Sequence, residues 1–486
     1  VIAALAAAEA KAKTLVVEKS PTIGLMREYL GVVGARCQKE AGCTIDPLAV
    51  TKELMRYASY RADQRLIKMW ADESGETLDW VMGHLEPKGF SLVAETDVGD
   101  GYHDIYPVYP IQTFIQTPSM IASGMPKDHE ENDSLEALAE LAEEFGAEFR
   151  FNTALVQCIV EEGRVTGAVA KSKEGHIRIN ASKGVLLATG GYEGNHDLIA
   201  ALQPMTYGSI CLDNGYPQNI GEGIQAGIWA GGRKDASTAY MLFDRGCLPP
   251  DGLAGLPAPE GDMFWMGSQP WLKVDLEGER FCNEAAPYDF PIHAISLSKG
   301  GIWCPIWDAN WQQNITEFHT LGCSRIDKSP TEGMTQSFLF PMIEGMNGGL
   351  MEKGYIQQAD TVEELAEKLG LPPAALAATV DRYNKLAEAG QDSDFGKPAK
   401  DLIALKTPPF FGVRQGAQSL CSLDGLLINA DCAVIDGQDK AIPGLWAAGN
   451  VSGGFFANNY PELLIGVASG RTMTQARHAV LNMLGK

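Results

Sequence analysis

An acidic residue closes the first β-branched run of the sequence. The run "TLVVE" ends at Glu18 and follows an Ala-rich stretch, Val1 to Ala10, that contains no helix breaker. This composition predicts a helix followed by a buried strand. In a dinucleotide-binding βαβ unit, a carboxylate about 20 residues after a glycine-rich turn holds the ribose hydroxyls. The sequence contains no G-x-G-x-x-G, so we expect that turn to lie immediately before Val1. On residues 1–20 alone, an ordinary helix and strand is an equally good interpretation.

A second apolar run leads directly into glycines. In "GVLLATGGYEGN", the residues Val185 to Ala188 are continuously apolar, which predicts a strand covered on both faces. Thr189, Gly190 and Gly191 follow at once. Because glycine has no Cβ, it lets the backbone approach a ligand closely where a strand ends.

The composition indicates a globular protein that does not bind nucleic acid. The 486 residues are 45% hydrophobic and 21% charged, enough for two or three domains. The formal net charge of −23 repels phosphate backbones and anionic membrane surfaces. No apolar run approaches the ~18 residues that span a bilayer, so we do not expect an integral membrane protein.

The ten cysteines are scattered and show no C-x-x-C spacing. Zinc sites, ferredoxin-type clusters and attached haem usually have closely spaced ligands. We therefore predict that most of these cysteines are buried thiols and expect no metal. A cluster assembled from distant cysteines stays open as the minor alternative.

Two helices have predicted boundaries that can be checked. One is predicted over Asp46 to Ser74, with Asp46 as its N-cap and Pro47 in its first turn. The other is the terminal helix, predicted to begin near Leu464.

The middle of the chain differs in composition from its ends. Five of the nine tryptophans lie between 265 and 311, and two predicted helices flank Leu371-Pro372-Pro373. After "PPFFG" the pattern of buried strands returns. The sequence therefore predicts one domain inserted into another, with residues 236–404 placed between 1–235 and 405–486.

Four segments carry a family resemblance: "TLVVEKS", "GVLLATGGYEGN", "GERFCNEAAPYDF" and "IPGLWAAGN". In this order the sequence resembles the flavoproteins that include fumarate reductases, succinate dehydrogenases and 3-ketosteroid dehydrogenases. The resemblance implies an α/β fold, with a Rossmann-like FAD-binding domain, an inserted α+β capping domain and an active site between them. It also implies that the first strand and glycine turn of the FAD site precede Val1.

The resemblance implies FAD contacts along the whole chain. A helix N-terminus facing the flavin O2 would stabilise the negative charge of reduced flavin. The implied contacts are Glu18 (adenosine ribose) with Lys19 and Ser20 beside it, Gly34 and Ala35 (pyrophosphate or flavin), Thr189, Gly190 and Gly191 (adenine side), Glu222 (flavin), Gly449 and Asn450 (ribityl chain), and Leu463 and Leu464 (flavin O2).

The chain departs from the fumarate reductase pattern on the substrate side. In "NEAAPYDF", Tyr288 stands where fumarate reductases have a proton-donating arginine. The carboxylate-binding arginine is replaced in "ANNY", which contains Asn459 and Tyr460, and the paired histidines are replaced by Leu420 and Cys421. A dicarboxylate without bidentate guanidinium partners would be poorly held. We therefore do not expect a small dicarboxylate as substrate.

The substituted residues suit a neutral carbonyl compound. The resemblance implies that Tyr288 delivers a proton to the α-carbon while flavin reduces the β-carbon, and that Tyr460 stabilises the enolate oxygen. Asn459 and Cys421 would contact the substrate. On composition alone, a half-buried residue with a satisfied hydroxyl is the favoured interpretation of each tyrosine, and it is the position in the family motif that points to chemistry.

We expect an FAD-dependent reductase of the C=C bond in an α,β-unsaturated steroid, lactone or plant enone. One alternative is a 3-ketosteroid-type dehydrogenase, which runs the same chemistry in the opposite direction, and another is a flavin-deficient binding module. The sequence contains no haem motif, so an external protein would donate electrons. Family resemblance implies a periplasmic or other extracytoplasmic location, and a cytoplasmic one is the alternative.

Overall fold

The computed structural model describes residues 1–24, 29–94, 107–123, 133–258, 260–318, 326 and 336–486. In this part of the chain, no helix is both long and apolar enough to cross a membrane. The helices are α1 (Ile2–Glu9), α2 (Arg36–Glu40), α3 (Pro47–Tyr57), α4 (Gln64–Leu85), α5 (Pro118–Ser123), α6 (Asp133–Glu144), α7 (His196–Leu202), α8 (Pro204–Ser209), α9 (Glu222–Trp229), α10 (Asp289–Ile295), α11 (Trp311–Glu317), α12 (Gln336–Glu352), α13 (Val362–Leu369), α14 (Pro373–Ala389) and α15 (Val467–Leu484).

The strands form several small sheets. In chain order they are β1 (Leu15–Val17), β2 (Tyr29–Gly31), β3 (Ser91–Ala94), β4 (Gln112–Gln116), β5 (Glu148–Arg150), β6 (Ala154–Glu161), β7 (Arg164–Ser172), β8 (Gly175–Asn180), β9 (Val185–Leu187), β10 (Ile210–Asp213), β11 (Tyr240–Leu248), β12 (Asp262–Met263), β13 (Leu272–Val274), β14 (Cys304–Trp307), β15 (Gln357–Ala359), β16 (Phe410–Gly412), β17 (Arg414–Ser422), β18 (Ala433–Ile435) and β19 (Ala441–Ala447).

Parallel pairing near the two ends of the chain gives the fold its α/β character. Strand β1 pairs in parallel with β5, and β9 pairs in parallel with β19. Helix α1 packs on α6 and α15. The predicted first helix and strand are thus confirmed, as is the α/β class.

Strand β9 is less covered than its apolar sequence predicts. Only Leu187 is fully buried, while Val185 and Leu186 are half-buried and Ala188 is exposed. The prediction of a strand covered on both faces is therefore wrong. In the described residues, β9 lies at the edge of its sheet, where it pairs with β19 and has no second neighbour.

The predicted helix over Asp46–Ser74 is divided into α3 and α4. Its start is confirmed, because the Asp46 side chain accepts a hydrogen bond from the Leu48 N–H. The break follows from Ser59 and Tyr60, which have φ values of 52° and 57°. A left-handed conformation at two successive residues cannot continue a right-handed helix.

The tryptophan-rich middle of the chain has its own hydrophobic clusters. Trp271 and Trp307 pack with Phe264 and Phe411, and a four-stranded sheet, β13-β14-β16-β15, packs against α13 and α14. Strand β11 pairs with β17, which joins this region to the C-terminal part of the chain. The domain boundaries stay a prediction.

Glycines allow β2 to lie directly against the start of α15. The Gly31 N–H donates to the Gly466 carbonyl at 2.8 Å. A Cβ at Gly470 would overlap the Gly31 carbonyl oxygen, and a Cβ at Gly31 would lie 2.6 Å from the Val467 nitrogen. The absence of side chains therefore sets the distance between strand and helix.

Candidate active site

The end of β1 is joined to the N-terminus of α9. Glu18 Oε1 accepts the Ser20 N–H at 2.8 Å, and the Ser20 hydroxyl donates to Gln218 Oε1 at 2.8 Å. The Lys19 ammonium contacts both the Glu222 carboxylate and the Gln218 carbonyl. The structure thus brings Glu222, which the resemblance assigns to the flavin, beside the residues predicted to bind the adenosine ribose, and its contact with the flavin stays a prediction.

The glycine turn after β9 adjoins the same place. Gly190 has a φ of 75°, and a Cβ on it would lie 2.6 Å from the Asn219 side chain. A Cβ at Gly223 would overlap the Thr189 hydroxyl, and one at Gly191 would overlap the Ser422 hydroxyl. The predicted residues of β1, the 189–191 turn and α9 therefore form one cluster.

Two buried polar atoms in this cluster have no hydrogen-bond partner in the described part of the chain. They are Thr189 Oγ1 and Glu222 Oε2. A hydroxyl and a carboxylate oxygen suit a ligand rich in hydroxyl groups, since a buried polar atom without a partner is costly. The residues present therefore fit the adenosine end of FAD.

The segment after β2 offers open backbone. Gly34 has a φ of 81°, and nothing lies within 4 Å of where its Cβ would stand. The Ala35 N–H donates to Gln38 Oε1 at 3.0 Å, which fixes the turn. This open face fits the predicted contact with the pyrophosphate or flavin.

Side chains of α15 form hydrogen bonds with the turn that follows β19. Gly449, with a φ of 78°, donates its N–H to Gln475 Oε1 at 3.0 Å. Arg471 donates from Nη1 to the Gly449 carbonyl at 2.8 Å and from Nη2 to Asn450 Oδ1 at 2.9 Å. The two predicted ribityl contacts are thus positioned by buried side chains of one helix.

The terminal helix begins later than the sequence indicated. Leu463 and Leu464 lie in a turn, and α15 starts at Val467 after Gly466, whose φ is 74°. The predicted start near Leu464 is wrong by three residues, because Pro461 and the positive φ of Gly466 place a turn there. The predicted contact of Leu463 and Leu464 with flavin stays a prediction.

Tyr288 lies in an enclosed aromatic and acidic environment. It is 2% exposed, and its ring meets the ring of Phe243 edge to face at a centroid distance of 4.6 Å. Its backbone N–H donates to Glu462 Oε2 at 2.8 Å. The next residue, Asp289, accepts the Tyr57 hydroxyl at 2.9 Å.

The Asp289 carboxyl favours its neutral form. Burial raises its pKa well above the usual value, and the nearby charge of Glu462 raises it further, while the Tyr57 hydrogen bond opposes the shift. Asp289 and Glu462 are 1% and 4% exposed. Two buried acids therefore adjoin Tyr288, and one of them, Asp289, favours its neutral form.

Of the other residues predicted to bind substrate, Asn459 reaches the surroundings of Tyr288 through Tyr57, whereas Tyr460 and Cys421 have other described neighbours. Asn459 is buried and its Nδ2 lies 3.4 Å from the Tyr57 carbonyl, while its Oδ1 has no described partner. The ring of Tyr460 lies 5.6 Å from that of Phe456. Cys421 is half-buried on β17, opposite Met241 of β11.

Three neighbours of the site were missed by the sequence reasoning. They are Phe243, Glu462 and Arg471. Arg471 is a charged residue within helix α15, and Glu462 directly follows Pro461. Neither stands in a sequence pattern that indicates a buried side chain. Glu462 bonds to Tyr288 across 174 residues and Arg471 bonds to Gly449 across 22, and both contacts depend on how separate elements pack.

Comparison with known proteins assigns most of the chain to one family. A family model described as FAD binding domain matches residues 1–462. The vinyl phenol reductase of Lactiplantibacillus plantarum is 27% identical over 487 residues, which cover 98% of this chain and 93% of that protein.

Solved structures share the fold. The open conformation of a flavocytochrome c3 fumarate reductase has a TM-score of 0.67 at 24% identity and covers 100% of this chain and 76% of its own. A 3-ketosteroid Δ1-dehydrogenase from Sterolibacterium denitrificans, in complex with 1,4-androstadiene-3,17-dione, has a TM-score of 0.72 at 18% identity and covers 100% of this chain and 97% of its own. At these identities the likeness concerns the fold.

Proposed function

The chain belongs to the FAD-binding family, and on this basis we propose that it reduces the C=C bond of an α,β-unsaturated carbonyl compound. It is an FAD-dependent oxidoreductase related to reductases and dehydrogenases that act on C=C bonds. When bound, FAD supplies the hydride for the β-carbon. The chain's own residues hold the substrate and supply the proton.

Tyr288 donates the proton to the α-carbon. A phenol with a pKa of about 10 is a weak acid at neutral pH, yet it is adequate for an enolate-like carbon. The contact with Phe243 keeps its ring enclosed, and the Glu462 carboxylate fixes its backbone. Tyr460 hydrogen-bonds the carbonyl oxygen and stabilises the enolate, as an oxyanion donor does.

The observation that carries the proposal is the charge around Tyr288. Asp289 and Glu462, both buried acids, adjoin it, so a dicarboxylate bound beside these two side chains would meet a neutral carboxyl group or a like charge. The nearby cation, Arg245, lies over the rings of Phe243 and Trp265 and donates from Nε to the Ser268 hydroxyl at 3.2 Å. A neutral steroid, lactone or plant enone fits this site better than fumarate.

The reverse reaction is the second candidate. A 3-ketosteroid-type dehydrogenase would use the same two tyrosines, with Tyr288 as base, and the sharing of fold with a ketosteroid dehydrogenase favours testing it. The family assignment favours an enzyme over the flavin-deficient binding module. Electrons would come from a separate donor protein, and an extracytoplasmic location is retained as part of the proposal.

An acceptor panel tests the substrate class. The purified holoprotein is reduced anaerobically and mixed with fumarate, a 4-ene-3-ketosteroid, an unsaturated lactone, a cinnamate and 4-vinylphenol, and flavin absorbance is followed. We expect reoxidation by a neutral carbonyl compound and none by fumarate. Reoxidation by fumarate would overturn the argument from charge. Reoxidation by 4-vinylphenol alone would keep C=C reduction and reject the carbonyl requirement.

Removing the Tyr288 hydroxyl tests the proton donor. Tyr288→Phe should lower turnover with the best acceptor by about 10²- to 10⁴-fold, the usual contribution of a general acid. Flavin content should stay that of the wild type, because the backbone bond to Glu462 is retained. Unchanged turnover in Tyr288→Phe would reject the assigned role.

A further inference from the structure

Arg471 is a fully buried cation in the second turn of α15. Its exposed fraction is 0%. Besides the Gly449 carbonyl and Asn450 Oδ1, its Nη1 lies 3.3 Å from the Ser452 hydroxyl and 3.4 Å from Gln475 Oε1. In the described part of the chain, these neutral oxygens are its only hydrogen-bond acceptors.

The charge of Arg471 is therefore not compensated by the described residues. Its Nε has no partner among them, and the guanidinium lies over the rings of Phe455 and Phe456 at 5.7 and 5.1 Å. Burial lowers its pKa to about 10, so the group stays protonated at neutral pH. Burying a cation without an anion is costly, and such a site gains stability when a negative charge arrives.

The position of this charge indicates which negative charge it serves. Arg471 bonds to both predicted ribityl contacts, Gly449 and Asn450. Ionised forms of Tyr460 and Cys421, on the predicted substrate side, would also interact with its charge. Arg471 is thus hydrogen-bonded to the segment predicted to hold the flavin, where the proposed reaction places negative charge.

A second buried arginine shows what a purely structural role looks like. Arg414, 8% exposed, donates to the Leu369 carbonyl at 3.2 and 3.1 Å and to the Gly252 carbonyl at 3.0 Å. All three of its nitrogens have acceptors, and it joins the end of α13 to the segment around Gly252. Arg471 differs because its Nε has no described acceptor and its two shortest hydrogen bonds go to Gly449 and Asn450, the predicted ribityl contacts.

We propose that Arg471 is a positioning residue whose uncompensated charge stabilises the negative charge that bound flavin acquires on two-electron reduction. This inference rests on the proposed function only in requiring a redox-active FAD. It predicts that the charge strengthens binding of reduced FAD more than binding of oxidised FAD, and so raises the reduction potential.

The test compares potentials of holoproteins. The wild type, Arg471→Met, Arg471→Lys and the control Arg414→Met are titrated anaerobically against redox dyes, and the dissociation constant of oxidised FAD is measured separately. In Arg471→Met we expect the ratio of affinities for reduced over oxidised FAD to fall at least tenfold, which lowers a two-electron potential by about 30 mV. Arg471→Lys should keep most of the potential, and Arg414→Met should keep all of it.

A second variant, which creates no cavity, keeps the test possible if Arg471→Met does not fold. Asn450→Asp places a carboxylate at the oxygen that accepts from Arg471, so it neutralises the charge and should lower the potential in the same direction. An unchanged potential in Arg471→Met or Asn450→Asp overturns the inference. A tenfold loss of oxidised FAD affinity at constant potential also overturns it, because the charge would then serve the pyrophosphate.

The outcome separates this inference from the proposed function. A wild-type protein that binds no flavin contradicts the function itself. A protein that binds flavin and reduces an enone, with equal potentials in wild type and Arg471→Met, contradicts only the role of Arg471.

Discussion

Two buried arginines in different regions of the molecule meet opposite electrostatic surroundings. Arg280, in the middle region, donates from Nε and Nη2 to both oxygens of Glu284 at 2.8 Å and from Nη2 to Asp392 at 2.8 Å. The Lys397 ammonium lies 3.7 Å from Glu284. Arg471, under the 449–450 turn, meets only neutral oxygens in the described residues.

The difference separates a structural use of charge from a functional one. In the Arg280 cluster, two cations and two carboxylates neutralise one another, so the cluster is complete without a ligand. At Arg471 no described carboxylate neutralises the charge, so it is available to an anionic ligand. Replacing Arg280 should therefore mainly lower the free energy of unfolding, whereas replacing Arg471 should mainly change the reduction potential of the flavin.

The largest expected effect is on stability in the Arg280 cluster. Arg280→Met leaves Glu284 and Asp392 buried without their main partner, so the free energy of unfolding should fall by about 3–5 kcal/mol. Chemical denaturation measures it. Arg471→Met leaves no carboxylate buried without a partner, so the free energy of unfolding should fall by less, about 1–3 kcal/mol. A larger loss in Arg471→Met than in Arg280→Met would break the comparison.

The stabilities contributed by two buried aspartates, Asp392 and Asp289, should depend on pH in opposite directions. Burial acts to raise the pKa of Asp392, but hydrogen bonds from Arg280 and from backbone N–H groups lower it below its usual value. Its stabilisation is present above the unfolded pKa of about 3.9 and is lost as the pH falls below it. Asp392→Asn should therefore cost about 1.5–3 kcal/mol at pH 7, and the loss should shrink below about pH 4.

Asp289 should behave in the opposite way. Its raised pKa stabilises the fold below the unfolded value of about 3.9, and this contribution is lost as the pH rises toward the folded pKa. Asp289→Asn should therefore gain stability relative to wild type as the pH rises above about 4, by up to about 1.4 kcal/mol for each unit of the shift. Thermal melts from below about pH 4 to about pH 7 measure both variants. Parallel pH profiles for the two variants would contradict the assignment.

The smallest expected effect concerns the hydrogen bond between Glu462, near the C-terminus, and Tyr288, in the middle region. Glu462→Ala leaves the Tyr288 N–H buried without this acceptor and should cost about 1–3 kcal/mol. Glu462→Gln keeps an acceptor oxygen and should cost less. If Glu462 positions Tyr288, turnover should follow the same order while the flavin potential stays constant. Equal turnover in Glu462→Ala and wild type would remove this connection.

The FAD side of the site could be predicted from the sequence to a useful extent. Glu18, Thr189 and Gly190 belong to strand ends and glycine turns, whose local patterns are visible in the chain, and the structure brings them together. The start of α15 could not be placed, because the positive φ of Gly466 competes with the apolar pattern that begins near Leu464.

The electrostatic details could not be predicted for a different reason. Glu462 bonds to Tyr288 across 174 residues, and Tyr57 bonds to Asp289 across 232. No local pattern specifies such pairs, because they depend on how separate elements pack. Arg471 is only 22 residues from Gly449, yet its burial depends on Phe455 and Phe456 closing over it.

The contact between β2 and α15 has a consequence for laboratory evolution of this chain. Gly470 allows no other residue, because even the methyl group of alanine would occupy the space of the Gly31 carbonyl oxygen. Gly83, exposed in α4 with open space around it, would accept alanine and gain helix propensity. A saturation library screened for folded protein should return glycine alone at position 470 and a broad mixture at position 83.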